Sequence, residues 1–298
     1  MIKAIIYSFF LAQILFTLLD LAVLYRQKKL NSHFKISDHK QTLFFIAGVW
    51  VVYFILQNVG VAILPGFNSL RDHLFHWLGI SSEGETLWSW KVTLMFLWSF
   101  HVVGFWDFVT HRWVLHRKQF WIFHEYHHLP RMVFNGMPGI SVRPFVFFTT
   151  LLTYVSGIIF LLIPLKFILS PEEARGFIEW GIPLLVFSLT LVLSVGHSLF
   201  LRKFWGVHSF LKYLLIATPQ EHVLHHSIKL RCNYGNFSTV WDRLFHSYVD
   251  PRTVDIYSEP LGLDYDQDYL GTLCLGKIKL SKETRQRFRL EDTVCIKD

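Results

Sequence analysis

Five long apolar runs constrain this chain more than any other feature of its sequence. They extend from Ile2 to Tyr25, Leu43 to Leu64, Leu87 to Val109, Phe145 to Leu169 and Phe177 to Leu201. A bilayer core about 30 Å thick takes about 20 apolar residues in a helix, because lipid offers no partner to free backbone N–H and C=O groups. Each run meets that length, so the sequence predicts an all-α, polytopic membrane bundle of about five transmembrane helices. Composition agrees: 17% of residues are charged, against roughly 25% in soluble domains. That balance excludes a disordered chain and a polar nucleic-acid-binding domain, so no nucleic acid partner is expected. The first run follows only Lys3 and lacks a small-residue cleavage site before Arg26–Lys29, so it reads as an uncleaved anchor. Cys232, Cys274 and Cys295 are too few and too odd in number for a disulfide framework.

Charge orients the bundle. With Arg26–Lys29 on the cytoplasmic side, five crossings leave 24 of the 29 lysines and arginines on that side. This is the asymmetry of the positive-inside rule. Trp88 and Trp90, and Trp106 and Trp113, fall where aromatic belts would flank the third span. The reading divides the chain into N-terminal transmembrane anchors (1–86), a catalytic region (87–250) and a polar cytoplasmic tail (251–298).

Nine of the 16 histidines form ordered clusters. His111 and His116 follow the third span. His124, His127 and His128 form His-x2-His-His, and His222, His225 and His226 repeat it beyond the last span. His197 lies near the inner end of that span. All nine fall at the cytoplasmic face of a topology drawn from charge alone, which predicts a histidine-rich metal-binding cap. In a helix, positions i, i+3 and i+4 share a face, so each triplet presents its three imidazoles on one stripe. His111 and His116, five apart, are turned about 140° from each other in an α-helix, so a bend or two different approaches to the metal is needed. Neutral imidazole serves Zn, Cu, Fe and Ni alike. Nine nitrogens exceed the needs of one ion and suit two, with four or five each and positions left for a reacting molecule. Carboxylate-bridged di-iron bundles use Glu and Glu-x-x-His pairs instead, and only Asp107, Glu125, Glu221 and Asp242 lie near these clusters. His33, His39, His73, His76, His208 and His246 read as ordinary polar residues. His101, mid-span, reads as a polar contact within the bundle, since an ionisable group there is costly unless paired.

Asp107-Phe-Val-Thr-His111-Arg112 with His116, the two His-x2-His-His triplets, Asn233-Tyr234-Gly235 and Trp241-Asp242-Arg243-Leu244-Phe245 together resemble the fatty acid hydroxylase / sterol desaturase superfamily. The resemblance covers about residues 90–250 and is most specific from Thr218 to Phe245. It implies an integral membrane, O2-dependent enzyme that hydroxylates or desaturates a lipid at two iron ions on the cytoplasmic face, with zinc a possible substitute. The implied metal ligands are His111, His116, His124, His127, His128, His222, His225 and His226, with His197 matching an additional histidine. Asp107 is implied as an acceptor orienting His111, and Asn233 and Asp242 as support for the site. Where relatives often carry Gly-Thr after Trp-Asp-Arg-Leu-Phe, this chain has His246-Ser247.

Hydroxylation is the first expectation and desaturation the second. No haem- or flavin-binding segment is fused to the chain, so a separate electron-donor protein is expected. Two rivals come from other classes. His124-Glu125-Tyr126-His127-His128 matches the His-Glu-x-x-His of zinc proteases, with Glu125 as general base, but a protease leaves six histidines without a role. A non-catalytic metal-binding or transport protein would also present cytoplasmic histidines. The lipid itself is not legible, and the membrane is either a bacterial inner membrane or the endoplasmic reticulum.

Overall fold

The computed structural model describes residues 2–27, 72–81, 84–117, 120, 124–128, 157, 160, 164–227, 230–259 and 261. Among these, the architecture is helical, with two isolated β-bridges, Ile216 to Ser238 and Ser227 to Leu261, and no strand. The named α-helices are α1 (Ile2–Arg26), α2 (Trp90–Val109), α3 (Pro171–Gly176), α4 (Ile182–Gly196), α5 (Trp205–Tyr213), α6 (Pro219–His225) and α7 (Val240–Leu244). The second apolar run, most of the fourth, His33, His39 and most of the C-terminal tail lie outside the described residues.

Two continuous helical stretches, Trp90–Leu115 and Pro171–Leu193, are long and apolar enough to cross a membrane. Their starts are set by capping. Ser89 accepts the N–H groups of Lys91 and Val92 and donates to Glu173 at 2.6 Å, joining the start of α2 to α3. Ser170 and Glu173 form a capping box with Pro171 in the first turn, which satisfies the free N–H groups that every helix start carries. The helix of the fifth apolar run therefore begins six residues before Phe177 and ends at Gly196, not Leu201. The third begins at Trp90 and runs beyond Val109 into a π-turn, Thr110–Leu115.

The stretches meet through apolar faces. Phe100, Val102 and Val103 of α2 bury against Leu185, Leu189 and Val192 of α4, together with Phe237 from the segment before α7. Gly104 permits that approach, because a Cβ there would lie 2.9 Å from the Ser238 Cβ. Ser238 then meets His101 Nδ1 at 2.7 Å, and Trp241 Nε1–H donates to the His101 carbonyl at 2.7 Å. His101 is thus the polar contact expected of it. The helix α1 lies along α4, and its end, Val23 and Leu24, packs with Leu199, Val223, Leu224, Cys232 and Ile256. Ile256 brings the beginning of the segment read as a tail into this core.

Candidate metal centre

The first box owes its geometry to the π-turn. An i→i+5 hydrogen bond runs from His116 N–H to the His111 carbonyl at 3.1 Å. A π-turn takes one residue more than an α-turn, so positions five apart come to the same face. The rings of His111 and His116 are 5.1 Å apart, without the bend or the separate approaches that α-helical spacing demanded. The second box sits on a 3-10 turn, Glu125–His128. The third is α6, whose start is held by a Thr218/Glu221 capping box with Pro219 in the first turn. Buried His208 hydrogen-bonds that Thr218 hydroxyl at 2.9 Å, and Tyr248 donates to Glu221 at 2.7 Å. His208, read from sequence as an ordinary polar residue, therefore supports the helix of the third box.

The nine clustered histidines gather into two groups. One contains His111, His116, His124, His128 and His225, the other His127, His197, His222 and His226. Within each group the ligand-type nitrogens lie within 4.8 Å of one another. Neither triplet stays together. The i, i+4 pair His124 and His128 joins His225 from the other triplet, while His222 and His226 join His127. The groups abut, with the His128 and His226 rings 4.7 Å apart.

Main-chain carbonyls aim several rings. His111 Nδ1–H donates to the Tyr234 carbonyl at 2.5 Å and His225 Nδ1–H to the Cys232 carbonyl at 3.2 Å. With the proton held on Nδ1, Nε2 turns its lone pair into the group. Between those two carbonyls lies Asn233, in the left-handed region at φ 53°. Its amide donates to the Glu221 and Val249 carbonyls at 3.2 and 3.1 Å and accepts from Val249 N–H at 2.9 Å. Asn233 thus acts as a clamp for the loop that orients two histidines. Asp242, buried, accepts the Tyr234 and Gly235 N–H groups at 2.8 and 2.7 Å and the Ser247 hydroxyl at 2.7 Å. Gly235 has no room for a side chain, since a Cβ would collide with the Ser238 carbonyl oxygen.

Asp107 does not accept from His111. Its carboxylate takes the backbone and side-chain N–H groups of Asn236, at 2.9 and 3.1 Å, and Asn236 Nδ2 lies 3.2 Å from His111 Nδ1. Sequence reasoning misses Asn236 and the carbonyls of Cys232 and Tyr234, because a backbone acceptor leaves no mark in residue type. It also misses Asp20 of α1, which does leave one: a carboxylate inside an apolar run.

The donor set fits metal ions. His124 Nε2 faces His111 Nε2 at 2.9 Å and His128 Nε2 at 3.1 Å. His197 Nε2 faces His222 Nε2 at 3.0 Å and His127 Nε2 at 3.3 Å, and His222 Nε2 faces His226 Nε2 at 3.2 Å. A ring proton on His124 could serve only one of its two facing nitrogens, whereas a cation between them serves all. Metal–nitrogen bonds of about 2.0–2.1 Å at angles of about 90–110° place neighbouring ligand nitrogens roughly 2.9–3.4 Å apart, which is the spacing seen. His225 Nε2 is buried with no hydrogen-bond partner among the described residues. Burial, then the charge of neighbouring imidazoles, pushes His116, His124, His128, His222, His225 and His226 well below the ordinary histidine value. They are neutral at physiological pH, the form that binds metal.

The sequence profile described as fatty acid hydroxylase matches residues 92–247, a stretch that contains every one of these nine histidines. The chain belongs to the fatty acid hydroxylase family. That family is one of oxidoreductases with membrane-bound histidine-box centres, and the two apolar helical stretches accord with membrane association. Comparisons with curated proteins and with solved structures return no match. Within the fatty acid hydroxylase match lie the π-turn, both triplets, His197 and the Asn-Tyr-Gly clamp, whereas α1 lies outside it.

Proposed function

We propose that this chain is a multi-pass membrane monooxygenase that hydroxylates a C–H bond of a lipid, with the nine histidines holding two iron ions at the cytoplasmic face. The observation that carries this reading is the sorting of nine imidazoles, eight of them buried, into groups of five and four. Bound iron supplies the activation of O2 that no side chain can perform. The protein's part is to keep the imidazoles neutral and aimed, and to keep water away. Inserting one oxygen atom into a C–H bond while the other leaves as water consumes two electrons and two protons, so a separate electron-donor protein completes the reaction. Desaturation consumes the same electrons and protons, releases two waters, and is the alternative outcome on the same groups. The four-histidine group offers fewer ligands than the other and is the better place for a reacting molecule. About five crossings and the asymmetry of Lys and Arg support the cytoplasmic placement.

The test is the metal content of detergent-purified protein expressed with iron in excess, beside the His127→Ala variant. About two metals per chain, reduced in the variant, are expected; the count matters more than the metal, since zinc competes for imidazole sites. A single zinc per chain would overturn the two-metal reading and favour a protease, in which case Glu125→Gln abolishes activity. Wild-type protein with two irons should convert a lipid only with O2 and reductant present.

A further inference from the structure

The helix α1 lies outside residues 92–247, yet its last third packs against segments that carry the histidines. Asp20 is the one acidic residue of the apolar run Ile2–Tyr25, and it is fully buried. Its carboxylate collects three hydrogen bonds from the turn that follows α4. Ser198 Oγ–H donates at 3.0 Å, Leu199 N–H at 2.9 Å and Phe200 N–H at 2.7 Å. The Ser198 hydroxyl in turn accepts Leu201 N–H at 3.1 Å, and the Arg202 guanidinium, also buried, feels the attraction of the carboxylate.

Packing alone does not call for this residue, since any apolar side chain would fill the space without the cost of burying a charge. What the carboxylate secures is the turn 198–200. That turn begins immediately after His197, which ends α4 as its C-cap residue. The backbone N–H groups of Leu199 and Phe200 lie beyond the helix, and buried N–H groups need an acceptor, which the carboxylate supplies. The side chain at this end must point its Nε2 at His127 and His222. Val23, Leu24, Leu199, Val223 and Leu224 close around the same region, and hydrogen bonds shielded from water are the strong ones.

We propose that Asp20 is a positioning residue for the four-histidine group: it locks the turn after α4 and so aims His197 at His127 and His222. This inference rests on the two-metal reading above. It assigns to a helix outside the family-matched region a part in assembling the centre. In the five-histidine group, by contrast, the Tyr234 and Cys232 carbonyls orient His111 and His225.

The test uses the full chain in detergent and reads metal binding rather than turnover. Asp20→Asn keeps the volume but sets an N–H2 group against a backbone N–H donor. It is expected to retain one iron per chain, with the second bound about 10–100-fold more weakly, as for other residues that orient a ligand. Ser198→Ala, which leaves both backbone hydrogen bonds to Asp20, should show a smaller loss of the same metal. His197→Ala should lose that metal too, and adding Asp20→Asn to His197→Ala should cost nothing further, as for two residues acting through one contact. Wild-type affinity for both irons in Asp20→Asn and in Ser198→Ala overturns the proposal, and so does full additivity with His197→Ala. If Asp20→Asn does not yield folded protein, Ser198→Ala alone and combined with His197→Ala decides by the same two criteria. Wild-type protein holding a single metal is a different failure, which overturns the two-metal reading and this inference with it.

Discussion

The two histidine groups lie against each other and share both His-x2-His-His triplets, yet they are held by different means. The five-histidine group rests on backbone: a π-turn brings His111 beside His116, and the carbonyls of Cys232 and Tyr234 fix the rings of His225 and His111. The four-histidine group rests on helix packing. His197 ends α4, and its turn is bonded to a carboxylate on α1. The first group is organised within the family-matched region, and the second reaches outside it. The difference teaches that two abutting histidine groups can be held in different ways, one by carbonyls within the matched region and the other beside a turn bonded to a helix outside it.

The strongest way to break that comparison uses two adjacent residues. His225 and His226 are neighbours in sequence and members of different groups. His225→Ala should weaken metal binding in the five-histidine group and His226→Ala in the other, with product formation falling to background in both. Metal analysis of the two single variants and the double variant checks it, since separate groups predict additive loss. A double variant no worse than either single one would merge the groups into one.

Asn233→Ala tests the backbone-held half. The left-handed conformation costs a non-glycine residue about 1–2 kcal/mol, and each lost hydrogen bond about 1 kcal/mol. Denaturation should therefore show a loss of about 3 kcal/mol or more, with iron released from the five-histidine group first. Asn233→Gly should recover the conformational part alone, about 1 kcal/mol. Equal release from both groups would mean that the clamp serves the whole centre.

The smallest effect is expected at His246, which is exposed and also left-handed, at φ 57°. It stands beside Ser247, whose hydroxyl helps hold Asp242 under Tyr234 and Gly235. His246→Gly should raise stability by about 0.5–1 kcal/mol in thermal unfolding and leave iron content unchanged. A change in metal binding would instead extend the backbone-held half as far as this loop.

Much of the centre is legible in the amino-acid sequence. The His-x2-His-His spacing is a local property: once a segment coils, positions three and four apart come near each other whatever surrounds them. The nine histidines can therefore be picked from 16, and their number alone argues for two groups. Their sorting cannot be read that way. His127 parts from His124 and His128 because the 3-10 turn faces α6 on one side and the π-turn on the other, and that meeting joins segments far apart in the chain. The role of Asp107 is hidden for a related reason. Proximity in sequence suggests His111 as its partner, and the fold interposes Asn236 from the opposite end of the domain.

By itself, then, the sequence determined a helical chain rich in membrane-length apolar runs, its family, and the residue types that could hold metal. These follow from hydropathy, local spacing and motif, which act over a few residues to a few turns. Only the tertiary structure decided which imidazoles stand together, that a π-turn joins the first pair, and that Asp20 reaches the turn after His197. Those depend on contacts between segments far apart in the chain, where the identity of a residue does not state its partner.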